Sequence, residues 1–160
     1  MCSAHYERLY NKNLNFYGGK DMKKLKWYGV LFAFVILFIY SMGIYDLFMM
    51  LGHNEAYYAS HGYGQGVVDY FTDYPIKFLI FWITNLLCGF VSPILYIARK
   101  KIASKIAFIS FLADGILITL TSIFRNRISV LGISVFIFDL IILIITLGFY
   151  LFCKMQNKNE

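Results

Sequence analysis

Two aspartates stand inside runs of apolar residues, where ionisable side chains are rare: Asp114 in Phe111-Leu112-Ala113-Asp114-Gly115-Ile116-Leu117, and Asp139 in Phe136-Ile137-Phe138-Asp139-Leu140-Ile141. A third polar side chain, Asn85, is set in Ile83-Thr84-Asn85-Leu86-Leu87. If these runs cross a bilayer, carboxyls at mid-depth are costly. Such groups either move a proton or a small cation, or they hydrogen-bond between helices. Asp114 lies 12 residues before a turn near Asn126 and Asp139 lies 13 after it. At a rise of about 1.5 Å per residue, both are expected about 18 Å from the turn, near the middle of a ~30 Å hydrocarbon layer. Asn85 is expected at a similar depth. No Lys, Arg or His is expected at that level, so at least one of the two carboxyls should carry a proton. Protonated acids bonded to Asn85, Ser110, Thr146 or backbone carbonyls would fix helix pairing. That role is the expectation, because the polar stripes are short and four helices seldom enclose a wide path without oligomerising.

The elements that hold these residues are four long apolar stretches, at 27–51, 76–98, 103–124 and 128–153. Each is about long enough to span a bilayer, which takes ~20 residues. The chain is 59% hydrophobic, its mean hydropathy is +0.62, and its charges fall in the gaps between the stretches. In lipid only helices and closed barrels satisfy every backbone group, so the predicted fold class is all-α membrane, an antiparallel four-helix bundle. Each later stretch carries a small or polar stripe at helical spacing: Asn85, Gly89, Ser92 and Pro93; Ala103, Ala107, Ser110 and Asp114; Gly132, Asp139 and Thr146. These stripes should face inward, where small residues allow close approach.

The chain carries a net charge of +6, with a pI near 9.2, and its cations cluster at particular helix ends. Arg8, Lys12, Lys20, Lys23, Lys24 and Lys26 precede the first stretch; Arg99, Lys100, Lys101 and Lys105 join the second and third; Lys154 and Lys158 follow the fourth. The loop at 52–75 has no Lys or Arg. The positive-inside bias therefore places both termini in the cytoplasm and this loop outside. Only Arg125 and Arg127 run against that rule. The basicity is a topology signal, and no nucleic-acid partner is expected. Within the loop, short amphipathic helices are predicted near Asn54 to Ser60 and Gly66 to Phe71, with Pro75 in the first turn of the second span.

The predicted organisation is a basic tail at 1–26, a membrane domain at 27–153 and a tail at 154–160. Residues 1–21 lack helical periodicity, and Met22-Lys23-Lys24-Leu25-Lys26-Trp27 reads as the natural start of translation. A signal peptide ending near Ser41 and Gly43 is the alternative, disfavoured because the apolar run continues to Leu51. Cys2, Cys88 and Cys153 form no C-x-x-C pair and none lies in the loop, which argues against a thiol oxidase or a disulfide framework. His53, Glu55 and His61 fit no established zinc spacing, so no metal is expected. No phosphate loop, nucleophile elbow or helical metalloprotease motif occurs. An enzyme is not expected, nor is a cofactor.

Gly43-Ile44-Tyr45-Asp46, Asn54-Glu55-Ala56-Tyr57 and Tyr70-Phe71-Thr72-Asp73-Tyr74-Pro75, with Trp82, Gly89 and Arg99 following, form a recognisable pattern. The chain resembles a widespread group of small bacterial four-helix membrane proteins of unestablished function, some automatically labelled sugar transporter. The likeness spans about 27–154 and weakens in the last helix. It implies a multi-pass protein of the bacterial inner membrane. Its matching positions Asp46, Asn54, Glu55, Tyr57, Tyr70, Pro75 and Trp82 gather at the outer ends of the first two spans, a rival site to the mid-membrane acids. There Asp46 and Asn54 are expected to cap helix ends, and Tyr70 with Trp82 to anchor the loop in the interface. The glycines between Tyr57 and Tyr70 depart from the pattern. Taken together, the residues point to a non-enzymatic protein acting through lipid or membrane-protein contacts, a homo-oligomer included. The alternative is a small oligomeric transporter or proton- or cation-coupled carrier built on Asp114 and Asp139.

Overall fold

The computed structural model describes residues 25–158. The expectations for residues 1–21 and for a start at Met22 lie outside them. Among the described residues every regular element is a helix: α1 (Trp27–Leu51), α2 (Glu55–Ser60), α3 (Gln65–Phe71), α4 (Ile76–Ile97), α5 (Ala103–Arg125), α6 (Arg127–Leu131) and α7 (Ile133–Lys158). Four of them, α1, α4, α5 and α7, are long and apolar enough to cross a membrane. The chain is an all-α, multi-pass membrane bundle.

The connections fold these four helices into antiparallel neighbours. α4 packs on α1 and α5, α5 packs on α7, and α1 closes the ring against α7. At one end, Asn157 of α7 donates to the Lys101 carbonyl (2.9 Å) and to Ser104 Oγ (3.0 Å) at the start of α5. The ring of Tyr96, late in α4, meets those of Phe149 and Phe152 at 5.9 and 5.6 Å. The starts of α1 and α5 and the ends of α4 and α7 thus share one end of the bundle, where Lys26, Arg99, Lys100, Lys101, Lys105, Lys154 and Lys158 also lie. That is the basic end; α2, α3 and α6 cover the other, the loop end.

Small residues set how closely the helices approach. α5 buries Ala103, Ala107, Ser110, Ala113 and Asp114 along one face, and α4 answers with Asn85, Gly89, Ser92 and Pro93. α1 buries a narrow stripe of Gly29, Ala33, Ile36, Tyr40, Leu47 and Met50, leaving Phe34, Phe38 and Phe48 exposed as lipid-facing residues should be. α7 buries only Thr146, Phe149 and Cys153.

The fourth apolar stretch departs from its predicted form. It is not one helix from 128 but a single turn and a half, α6, broken at Gly132 before α7 begins. Gly132 has φ 88° and ψ 159°, a conformation that is essentially glycine's alone. Just before it, Asn126 ends α5 in the left-handed region (φ 49°), which Asn tolerates better than most residues. These two positions fold α6 across the loop end.

Candidate functional site

Half-way through the bundle, each of the four long helices contributes to one buried polar layer. α5 places Ser110 and Asp114 one turn apart on its inner face, α4 places Asn85 opposite them, and α7 supplies Thr146. The fourth contributor is Tyr40 of α1. Its hydroxyl lies 2.9 Å from Ser110 Oγ, 2.9 Å from Thr146 Oγ1 and 3.2 Å from Asn85 Oδ1. Ser110 Oγ sits 2.7 Å from Asn85 Oδ1 and 2.9 Å from the Asn85 carbonyl. The Asn85 amide donates to Asp114 Oδ1 at 2.9 Å. Exposure runs from 0% at Ser110 to 7% at Asp114. One atom stands apart: Asp114 Oδ2 is buried without a hydrogen-bond partner.

Spacing alone brings Asn85, Ser110, Asp114 and Thr146 together, but it misses Tyr40. Tyrosines in spans read as interfacial belts, and Tyr40 lies at mid-helix. The signal was across the bundle at Gly89. A Cβ built there would lie 1.9 Å from Tyr40 Cε1, so the glycine leaves space for the ring.

Asp139 does not join this layer. It is only six residues into α7, about 9 Å along the helix, whereas Asp114 is eleven residues, about 16 Å, from the end of α5. The two acids are not level. Nor is Asp139 without a cation: Arg127 Nε and Nη2 lie 3.0 and 2.9 Å from its Oδ2. In a continuous helix these residues, 12 apart, would be separated by about 18 Å. The break at Gly132 folds α6 back and lets them meet. Their side chains keep only 14% and 17% of their exposure.

The chain matches no family model, no curated protein and no solved structure.

At the loop end the resemblance residues fall into a small folded cap. Asn54 caps α2, its Oδ1 accepting from Tyr57 N–H at 2.9 Å, while exposed Glu55 sits in the first turn, where the helix dipole favours an acid. Asp46 is no cap. It lies within α1 and accepts the Tyr57 hydroxyl. Tyr70 and Trp82 are not interfacial anchors in the simple sense either: Tyr70 is 5% exposed and packs with Phe71 and Tyr74, and Trp82 lies 5.9 Å from both Phe71 and Tyr74. Arg125, at the end of α5, donates to the Tyr70 carbonyl and covers the Tyr70 and Tyr74 rings at 4.5 and 5.4 Å. Val130 and Leu131 of α6 pack on the same cluster.

Three pins therefore hold the cap to the bundle: Asp46 with Tyr57, Arg125 with Tyr70, and Arg127 with Asp139. On its surface runs a ladder of rings, Tyr45 to Tyr57 at 5.8 Å, Tyr57 to His61 at 4.2 Å and His61 to Tyr63 at 5.5 Å. Burial pushes the hydroxyls of Tyr57 and Tyr63 above the ordinary tyrosine range, and the Asp46 carboxylate adds to the shift. Both stay neutral donors at physiological pH. His61 belongs to this ladder, and His53 lies outside it. His61 Nδ1 lies 2.9 Å from the Tyr57 carbonyl, and His53 stacks on Tyr58. Glu55 forms no cluster with them, and no group of three or more His, Cys, Asp or Glu suited to a metal occurs among the described residues.

Proposed function

We propose that this chain is a non-enzymatic protein of the bacterial inner membrane, with both termini in the cytoplasm, that works through contacts of its loop end with another membrane protein. The observation that carries the reading is the pinned cap with its ring ladder. Tyr45 is 48% exposed, His61 is exposed, and Tyr57 and Tyr63 are half-buried. Around them Glu55, Asp69 and Asp73 are exposed, and 52–75 contains no Lys or Arg. Aromatic rings on a fixed backbone supply contact area at small entropic cost and dominate protein interfaces, while an acidic rim selects a basic partner. The absence of cations from this loop and their concentration at the other end support the orientation. The resemblance to small bacterial four-helix membrane proteins supports the location.

The test is a photoreactive phenylalanine analogue at Tyr45 or at Tyr63, compared with the same analogue at Phe38, which is 69% exposed on the lipid-facing side of α1. In whole cells the two loop positions should give one discrete protein adduct, reduced several-fold by Glu55→Lys, and Phe38 should give none. An absence of adducts at both loop positions would refute a loop-end contact.

A carrier is the second reading, and one observation favours it. Asp114 Oδ2 is buried without a partner, so the layer has an unfilled acceptor or donor position. Asp139, the other acid such a carrier would use, is bound to Arg127.

A further inference from the structure

At the basic end the surface between α5 and α7 opens into a cleft of about 330 Å³, with Lys105 and Lys154 among its walls. Both lysines are exposed. The Lys154 ammonium lies 5.5 Å over the Tyr150 ring, and Tyr150 packs on Phe108 with ring centroids 4.9 Å apart. The floor is thus aromatic and the rim is cationic. Among the described residues, no Asp or Glu lies at this end of the bundle.

One turn further along the same face of α5 lies a second, separate hollow of about 410 Å³, lined on α5 by Leu112, Gly115, Ile116 and Leu120. Its middle is Gly115, whose added Cβ would meet only Leu143 Cδ1, at 3.9 Å. From Lys105 to Ile116 is eleven residues, about 16 Å of helix, which is close to the depth of one leaflet of a ~30 Å hydrocarbon layer. Cations at headgroup level above an apolar furrow one leaflet deep match the two halves of a phospholipid.

We propose that this furrow between α5 and α7 binds an anionic phospholipid, its phosphate between Lys105 and Lys154 and one acyl chain lying along Ile109, Leu112 and Ile116. Lysines at membrane-surface level attract anionic headgroups, and a furrow between helices gives that attraction a fixed place. The site is independent of the loop-end contact and of which way the chain faces, since it requires only that the bundle spans a bilayer.

The experiment is native mass spectrometry of the full chain released from nanodiscs made of equal parts dioleoylphosphatidylglycerol and dioleoylphosphatidylcholine. The unsubstituted protein should retain phosphatidylglycerol about thirtyfold over phosphatidylcholine, the scale expected for two lysines near the surface. Lys105→Gln/Lys154→Gln should bring the ratio near parity. Lys105→Arg/Lys154→Arg should keep it, as should Lys77→Gln, which removes an exposed cation from the loop end. Glycerol phosphate, which lacks acyl chains, should not displace the bound lipid. Parity in the unsubstituted protein would overturn the proposal. So would a preference that survives the double Gln substitution, or displacement by glycerol phosphate.

Discussion

Tyr40 bonds the polar layer to α1 through one hydroxyl, which touches Ser110, Thr146 and Asn85 at once. Interhelical hydrogen bonds in lipid contribute modestly each, so Tyr40→Phe is expected to lower stability by about 1 to 2 kcal/mol in denaturant titrations of the micellar protein. Gly89→Ala should cost more, about 2 to 3 kcal/mol, because the new methyl strikes the Tyr40 ring and the ring has nowhere to retreat in a packed core. A cycle separates the two effects. In a Tyr40→Ala background, adding Gly89→Ala should cost almost nothing, since the atoms it strikes are gone; an unchanged cost would show that Gly89 matters for some other reason. The polar partners of this layer were legible from helical spacing: Asn85, Ser110, Asp114 and Thr146 each lie on a small or polar stripe. Tyr40 was not, because a tyrosine within a span reads as part of an interfacial belt; the small residues Gly29 and Ala33 on the same buried stripe were the sign of an inward face.

The apolar stretches announce α1, α4 and α5 nearly to the residue, because lipid leaves the backbone no other way to satisfy its hydrogen bonds. The broken start of the fourth stretch escaped the sequence. Residues 128–153 are mainly apolar, and glycine is common inside spanning helices, so Gly132 carried no sign that the chain turns there. The consequence was an error of depth for Asp139 and a missing partner for it in Arg127. This pair now offers a test of the cap. Arg127→Gln or Asp139→Asn alone leaves one largely buried charge unpaired and should destabilise the protein by about 3 kcal/mol, whereas the double substitution should cost clearly less than the sum. The loss should appear first as faster hydrogen exchange in α2 and α3, which the pair helps to hold down, with α4 and α5 protected as before. Uniform exchange across all helices after Arg127→Gln would mean that α6 does not pin the cap.

For the whole molecule, the central matter is whether the mid-membrane layer is a lock or a path. Apart from Asp114 Oδ2, its hydrogen-bonding atoms are engaged with one another across all four spanning helices, and Asp139 is held by an arginine at the loop end. Both features favour a lock, with the working surfaces placed at the two ends: an aromatic, acidic cap and a basic furrow. Ion movement decides between lock and path most directly. The purified chain is reconstituted in liposomes, and proton and cation entry is followed with a pH-sensitive dye under an imposed gradient, with Asp114→Asn and Asp139→Asn in parallel. The unsubstituted protein should be indistinguishable from empty liposomes, and so should both variants. Flux through the unsubstituted protein that Asp114→Asn abolishes while the bundle stays folded would contradict the lock and make Asp114 a working ion site.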